Sequence, residues 1–313
     1  MSKTAIKISV IGAGFVGSTA AYTLALKGIA SDIVLVDANP EKAIGEAMDI
    51  EHGSPFVAES IVNAGGYEET RGSDMVIITA GTSQKPDETR IDLIARNAAI
   101  MRDVATQVAA QSPEAVILII SNPADIMSYV FREVTGFPKH RVIGSGTNLD
   151  SARLRYLLSQ KFGISSHDVH AQVWGEHGDS EFPVWSLVQI AGMGINEASD
   201  QFGGVMSDED YGYLGDVVRN AAYEVINRKG ATYYGIGASI ARICEAVLRD
   251  EKSILPVSVF LHGQYGIDDV YLSLPAILGE HGVEKILTPV ISDDELDKLH
   301  HSAAVLKEAR AQL

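Results

Sequence analysis

A single cysteine, Cys244, stands among 313 residues, which rules out an internal disulfide framework and suits a reducing cytosol. Basic side chains are also scarce, with 25 Lys and Arg against 41 Asp and Glu and a net charge of −16. Nucleic acid and anionic membranes both need a basic surface, so neither is expected as a partner. A small anionic substrate is not excluded, because a local arginine cluster overrides the average field. The longest apolar run, Ala115–Ile120, is far shorter than the ~20 residues that cross a bilayer. The opening MSKTAIKISV has no signal-peptide layout, so the chain is expected to be cytoplasmic. There is no HExxH or CxxC spacing, so no metal is expected, and no GxSxG elbow of a serine hydrolase. Low-complexity linkers and internal repeats are missing too.

What is present is an alternation. Short β-branched runs at Ile6–Ile11, Asp32–Val36, Ile61–Ala64, Met75–Thr79, Val116–Ile120 and Val142–Ile143 read as strands. Helical patterns at Gly17–Lys27, Pro40–Glu51 and Ile91–Gln111 lie between several of them. This order predicts an α/β fold: a Rossmann-type doubly wound, mostly parallel sheet with helices on both faces. After about Gly144 the pattern changes. Longer helices are expected at Ser151–Lys161, Asp208–Lys229 and Thr232–Arg249, paired strands at Ser253–Gly263 and Val270–Ala276, and a capped helix over Ser292–Ala311. Two closely packed domains follow: a dinucleotide-binding domain over residues 1–145 and an α+β substrate domain over 146–313.

The first strand runs straight into Gly12-Ala13-Gly14-Phe15-Val16-Gly17, and a helix follows. A lone GxGxxG is weak, but here strand, helix and a following acidic residue, Asp37, supply its context. Gly12 permits the tight turn, Gly14 lets backbone approach a pyrophosphate, and Gly17 allows close helix–strand packing. Asp37 would accept hydrogen bonds from a ribose and repel a 2′-phosphate, favouring NAD over NADP. The bland alternative is a turn in a non-binding α/β domain.

Polar residues gather at the ends of the proposed strands, where open α/β sheets place ligands. The segment AGTSQKPDETR (80–90) carries Gln84, Lys85 and Arg90; Asn122 follows another strand; Asp150 and Arg153 share one helix face; and His177 lies in WGEHGDSEFPVWS. Taken singly, each has a structural reading: a solvated arginine, a turn-forming asparagine, a surface ion pair, a buried histidine. Taken with a nicotinamide site, they meet the needs of hydride chemistry on a 2-oxo acid. A guanidinium binds the carboxylate, a second polarises the carbonyl, and a histidine held by a carboxylate delivers the proton.

The motifs QKPDETR (84–90), SNPAD (121–125), DSAR (150–153), GEHGDS (175–180), KGATYYGIG (229–237) and GQYGIDDVYLSLPAILG (263–279) occur in the order seen in L-lactate dehydrogenases, and the last two resemble the bacterial branch. The resemblance spans nearly the whole chain. It implies that His177 is the proton donor and acceptor, paired with Asp150, and that Arg153 clamps the carboxylate. Arg90, on a loop that closes over substrate, would polarise the carbonyl. Asn122 would contact substrate and nicotinamide, and Thr232 would line the pocket near the substrate methyl. Val16, Gly81 and Ser121 are expected beside NAD with the residues above. Related malate dehydrogenases are similar but carry arginine where this chain has Gln84, so a neutral glutamine points to pyruvate and lactate over a dicarboxylate. Malate or branched 2-hydroxy acids are the alternative substrates, and a non-catalytic NAD-binding protein is the alternative class. Arg155 and His170 match positions expected to hold fructose 1,6-bisphosphate between subunits, implying an allosteric homotetramer. Two departures stand out: Asp87 where the family usually has glycine, and Ala124 where it usually has valine.

Overall fold

The computed structural model describes residues 5–82, 90–203 and 205–313, apart from the side chain of Arg90. The first stretch runs β1 (Lys7–Ile11), α1 (Phe15–Leu26), β2 (Asp32–Val36), α2 (Pro40–Glu51), β3 (Ile61–Ala64), β4 (Met75–Ile78), α3 (Arg90–Gln111), β5 (Val116–Ile119), α4 (Ala124–Thr135) and β6 (Val142–Gly144). Parallel pairing gives the order β3-β2-β1-β4-β5-β6, the doubly wound arrangement expected from the alternation. The chemistry of these strands explains their place. MVII in β4 and VILI in β5 are buried at every position, as strands covered by helices on both faces must be.

The chain continues through α5 (Asn148–Phe162), β7 (Val169–His170), β8 (Val173–Trp174), β9 (Phe182–Pro183), β10 (Gln189–Ile190), β11 (Met193–Gly194), α6 (Ile195–Phe202), α7 (Asp208–Lys229), α8 (Tyr234–Leu248), β12 (Ser253–His262), β13 (Asp268–Gly279), β14 (Gly282–Ile286) and α9 (Asp293–Arg310). The expected strand pair is β12 and β13, antiparallel from Ser253↔Leu278 onward. It does not form a separate sheet. A single pairing, Ser258↔Gly144, joins β12 to β6, so β12, β13 and β14 extend the parallel sheet with antiparallel strands. A second apolar cluster lies outside that sheet, where Leu154 and Leu158 of α5 meet Val169, Val188, Leu214 and Val218.

Caps fix several ends. Ser292 accepts from Glu295 N at 3.3 Å while Glu295 accepts from Ser292 N at 2.9 Å, the capping box anticipated for the last helix. Glu295 also accepts from Ser186 N and Oγ, so the cap ties α9 to the chain after β9. The helix expected from Thr232 begins two residues later, at Tyr234, which leaves Thr232 in the preceding loop.

Candidate active site

The carboxyl ends of β1, β2, β4 and β5 meet beside the point where strand order reverses, between β1 and β4. Gly12 takes φ +107°, and a Cβ there would lie 2.8 Å from both Ala80 N and Thr79 Oγ1. Gly17 is tighter still, with a Cβ falling 1.8 Å from the Gly12 carbonyl oxygen. Only glycine lets α1 pack this close to β1. Gly14 caps α1, and a Cβ on it would meet nothing within 4 Å, so the space in front of the helix N-terminus is open. Val16 is half-buried in the first turn of that helix. Asp37, just beyond β2, accepts from Ala13 N at 2.7 Å and from Asn39 N at 2.9 Å. The carboxylate is thus fixed against the glycine turn while still partly exposed. An open helix N-terminus and an oriented acid at the next strand end fit a dinucleotide with a free ribose diol.

Around β4 and β5 the contacts are built from backbone. Gly81 is exposed, whereas Ser121 is buried and donates to the Ala80 carbonyl at 2.5 Å and the Ile78 carbonyl at 3.2 Å. Its hydroxyl therefore braces the loop after β4. Asn122 is exposed at the head of a cis peptide to Pro123. Asn97 of α3, 3% exposed, was not singled out from the sequence. It accepts from Thr82 N at 2.9 Å and donates to the Asn122 carbonyl at 2.8 Å, pinning two of these strand-end segments together. Gln84, with Lys85 and Asp87, lies outside the described residues, and so does the Arg90 side chain.

The histidine sits on the segment after β8, and that segment is held on several sides. Gly175 pairs with Ser273 of β13. Thr147 Oγ1 donates to the Val173 carbonyl at 2.5 Å, and Val173 N donates to Ser151 Oγ at 2.8 Å. These bonds lock β8 to the first turn of α5, which carries Asp150. The helix N-terminus favours that carboxylate as an anion. Asp150 Oδ2 lies 2.8 Å from His177 Nδ1, and Asp150 Oδ1 lies 2.5 Å from Arg153. Read alone, Asp150 and Arg153 resembled a surface pair; the fold instead buries Asp150 to 2% exposure. Two further carboxylates, both missed in the sequence, complete the surroundings. Asp125 of α4 accepts from His177 N at 2.9 Å and from Ser258 Oγ at 2.5 Å. Glu181 brings Oε2 to 3.8 Å from His177 Nδ1.

The charges of these groups are shaped by burial and by each other. Burial favours neutral His177, but the charge and hydrogen bonding of Asp150, then those of Glu181, outweigh it and hold the imidazole pKa well above 6.5. Burial raises Asp150, yet His177 and Arg153 bring it below the usual carboxylate value. Asp125 is pushed up to about 6, chiefly by burial, against the bonds from Ser258 and His177 N. The nitrogen and two oxygens of Asp150, His177 and Glu181 all lie within 4.8 Å of one another. The 2.8 Å approach of nitrogen to oxygen is hydrogen-bond spacing, shorter than the about 3.3 Å that separates ligands on a tetrahedral zinc. An imidazolium between carboxylates, half-exposed beside a guanidinium, is equipped to pass a proton to an anionic substrate.

Thr232 is half-buried before α8. Arg155 and His170 are brought together at a different place, where both line a cavity of about 750 Å³ with His167 and Arg242. Arg155 donates to the Ser166 carbonyl at 3.1 Å, while its buried Nε has no hydrogen-bond partner among the described residues.

Comparisons with known proteins extend this geometry. A family model described as lactate/malate dehydrogenase, NAD binding domain, matches residues 6–144, and one described as lactate/malate dehydrogenase, alpha/beta C-terminal domain, matches 147–312. The chain is 50% identical over 307 residues to L-lactate dehydrogenase 1 of Clostridium acetobutylicum, covering 97% of each chain. It is 48% identical to the L-lactate dehydrogenase of Thermoanaerobacterium saccharolyticum, covering 98% of this chain and 99% of that one. The solved structure of minor L-lactate dehydrogenase from Enterococcus mundtii, in a ligands-bound form, is similar with a TM-score of 0.96 at 40% identity over 99% of both chains.

Proposed function

The chain belongs to the lactate/malate dehydrogenase family, and from that premise we propose that it is an NAD-dependent L-lactate dehydrogenase with His177 as proton donor and acceptor. NAD is its cofactor: Gly12, Gly14, Val16 and Gly17 would hold the pyrophosphate at the N-terminus of α1, Asp37 the ribose, and Gly81, Ser121 and Asn122 the far side. Bound NADH supplies the hydride for reduction of a 2-oxo acid, and NAD+ accepts it back.

The residues of the chain supply the proton and the orientation. Arg153 binds the substrate carboxylate while keeping Asp150 in place. Asp150 fixes the imidazole through Nδ1, so Nε2 of His177 carries the transferable proton toward the carbonyl oxygen. Arg90 polarises that carbonyl, Asn122 contacts the substrate, and Thr232 borders its methyl group. Gln84 is the selector: its neutral amide suits pyruvate and leaves a second carboxylate unpaired. The observation that carries this reading is the contact of His177 Nδ1 with buried Asp150, itself bound to Arg153. Initial rates of NADH oxidation with pyruvate test it. His177→Asn should lower kcat by about 10²-fold or more, the usual share of a general acid; turnover near that of the parent would overturn the assignment. A parent enzyme turning over only larger 2-oxo acids would move the substrate to the branched class.

Regulation by fructose 1,6-bisphosphate in a homotetramer is part of the same proposal. Arg155 and His170 line one cavity, and the buried Nε of Arg155 has no hydrogen-bond partner among the described residues. A phosphate supplies two or more acceptors there, and opposed copies would share the ligand across a two-fold axis. Rates measured with and without the bisphosphate, together with the sedimenting mass, decide both points.

A further inference from the structure

Glu181 reaches His177 through a turn. Its N–H donates to the Gly178 carbonyl at 3.1 Å, which folds the chain back so that a residue four places on returns to the ring. The side chain is 5% exposed, and Oε2 stands 3.8 Å from the same Nδ1 that Asp150 approaches at 2.8 Å. Nδ1 and Asp150 Oδ2 are both buried, and at their 2.8 Å spacing the charge of Asp150 faces the ring directly. Nδ1 is thus flanked by two carboxylates, Asp150 at contact distance and Glu181 farther out.

The surrounding charges leave Glu181 to the histidine. On α5, Arg153 pairs with Asp150. On α7, Arg219 pairs with Asp216 and meets Glu181 only at its backbone carbonyl. On α4, Asp125 faces the His177 backbone and Ser258; Glu176, beside the histidine, accepts from Ser180. Asp150 is divided between Arg153 and His177, so Glu181 is the further carboxylate that offsets the charge of protonated His177.

Resting on the reading of His177 as proton donor, we propose that Glu181 is a second positioning carboxylate, flanking the Nδ1 edge of the ring together with Asp150 and keeping the imidazolium as the resting form of the donor. Delivery of the Nε2 proton to substrate leaves the buried group with one net negative charge. Burial and the nearby Asp150 charge both favour protonated Glu181, so this carboxyl takes up a solvent proton while His177 is neutral. The proton count balances: one leaves Nε2 for the substrate oxygen, and one enters from water at Glu181.

The test is the pH profile of kcat/KM for pyruvate reduction in the parent, Glu181→Gln and His177→Asn. Glutamine keeps the shape and removes the charge, and the alkaline limb should move toward acid by about 1–3 units, the effect of one nearby opposite charge. Rates on the acid plateau should stay within about threefold of the parent, because His177 is protonated there in both proteins. A superimposed profile overturns the proposal even where His177→Asn is inactive; active His177→Asn overturns the donor assignment beneath it. In the unaltered enzyme, 15N-labelled histidine should show two inflections for His177 above pH 5, one from each member of the pair. A single inflection would contradict the coupling of Glu181 to His177 independently of any variant.

Discussion

Replacing Asp150 with asparagine removes one charge 2.8 Å from His177 Nδ1, in a place where Asp150 is only 2% exposed and solvent screens little. An opposite charge this close shifts a pKa by about 1–3 units, and each unit corresponds to about 1.4 kcal/mol between the protonation states. Asp150→Asn should therefore weaken the imidazolium by roughly 1.4–4 kcal/mol. The sign follows from the raised pKa of His177. Protonated histidine is present at low pH and is lost as pH rises through the folded-state value, so a lower value brings the loss to lower pH. If His177 is the proton donor proposed above, pyruvate reduction consumes the protonated form and should show its alkaline limb displaced by about 1–3 units toward acid. Lactate oxidation, which needs the neutral form, should gain at the acid end over the same window. Initial rates in both directions from pH 5 to 10, at constant ionic strength, give the two profiles. A uniform fall in rate with both limbs unmoved would refute the electrostatic reasoning, leaving Asp150 only as a brace for Arg153.

Three further perturbations probe other parts of the structure. Gly17→Ala places a Cβ 1.8 Å from the Gly12 carbonyl oxygen, so α1 must shift and NADH affinity measured by calorimetry should drop at least tenfold; unchanged affinity would contradict the packing. Asp125, pushed up to about 6, stabilises the fold fully below about pH 4 and loses that contribution as pH rises through 6. Asp125→Asn escapes a cost of roughly 3 kcal/mol, so its Tm should exceed the parent's at pH 7.5 and match it at pH 4; equal Tm at both would show the carboxyl ionises freely. Arg155→Gln should reduce the response to fructose 1,6-bisphosphate at least tenfold while leaving rates without effector unchanged, and a full response would remove Arg155 from that site.

Local chemistry made much of this legible. The glycine turn, β2, β3, α2 and α7 are written in short-range pattern: β-branched runs, Pro40 at a helix start, acidic residues in the first turn of α7. The C-terminal hairpin was legible as a pair but not as part of the main sheet, because one long-range contact, Gly144 with Ser258, makes that junction. Helix α4, although strongly amphipathic, follows Ser-Asn-Pro, whose proline marks the end of a strand more plainly than the start of a helix. The two-residue strands β7 to β11 are too short to show any period, and β14 (GVEKI) is half polar. In the site, the nature of each group could be read from residue type, but its burial could not. Asp150 changed from an apparent surface partner to a buried anchor, and Asp125 and Glu181 reach the histidine only through a 52-residue chain separation and a tight turn.

Side-by-side kcat/KM values for pyruvate and oxaloacetate, with NADH saturating, bear most directly on the assignment. A preference for pyruvate well above tenfold is expected, more than about 1.4 kcal/mol of transition-state discrimination. Preference for oxaloacetate would mean that Lys85 or another cation answers the second carboxylate, and the lactate dehydrogenase reading would be wrong.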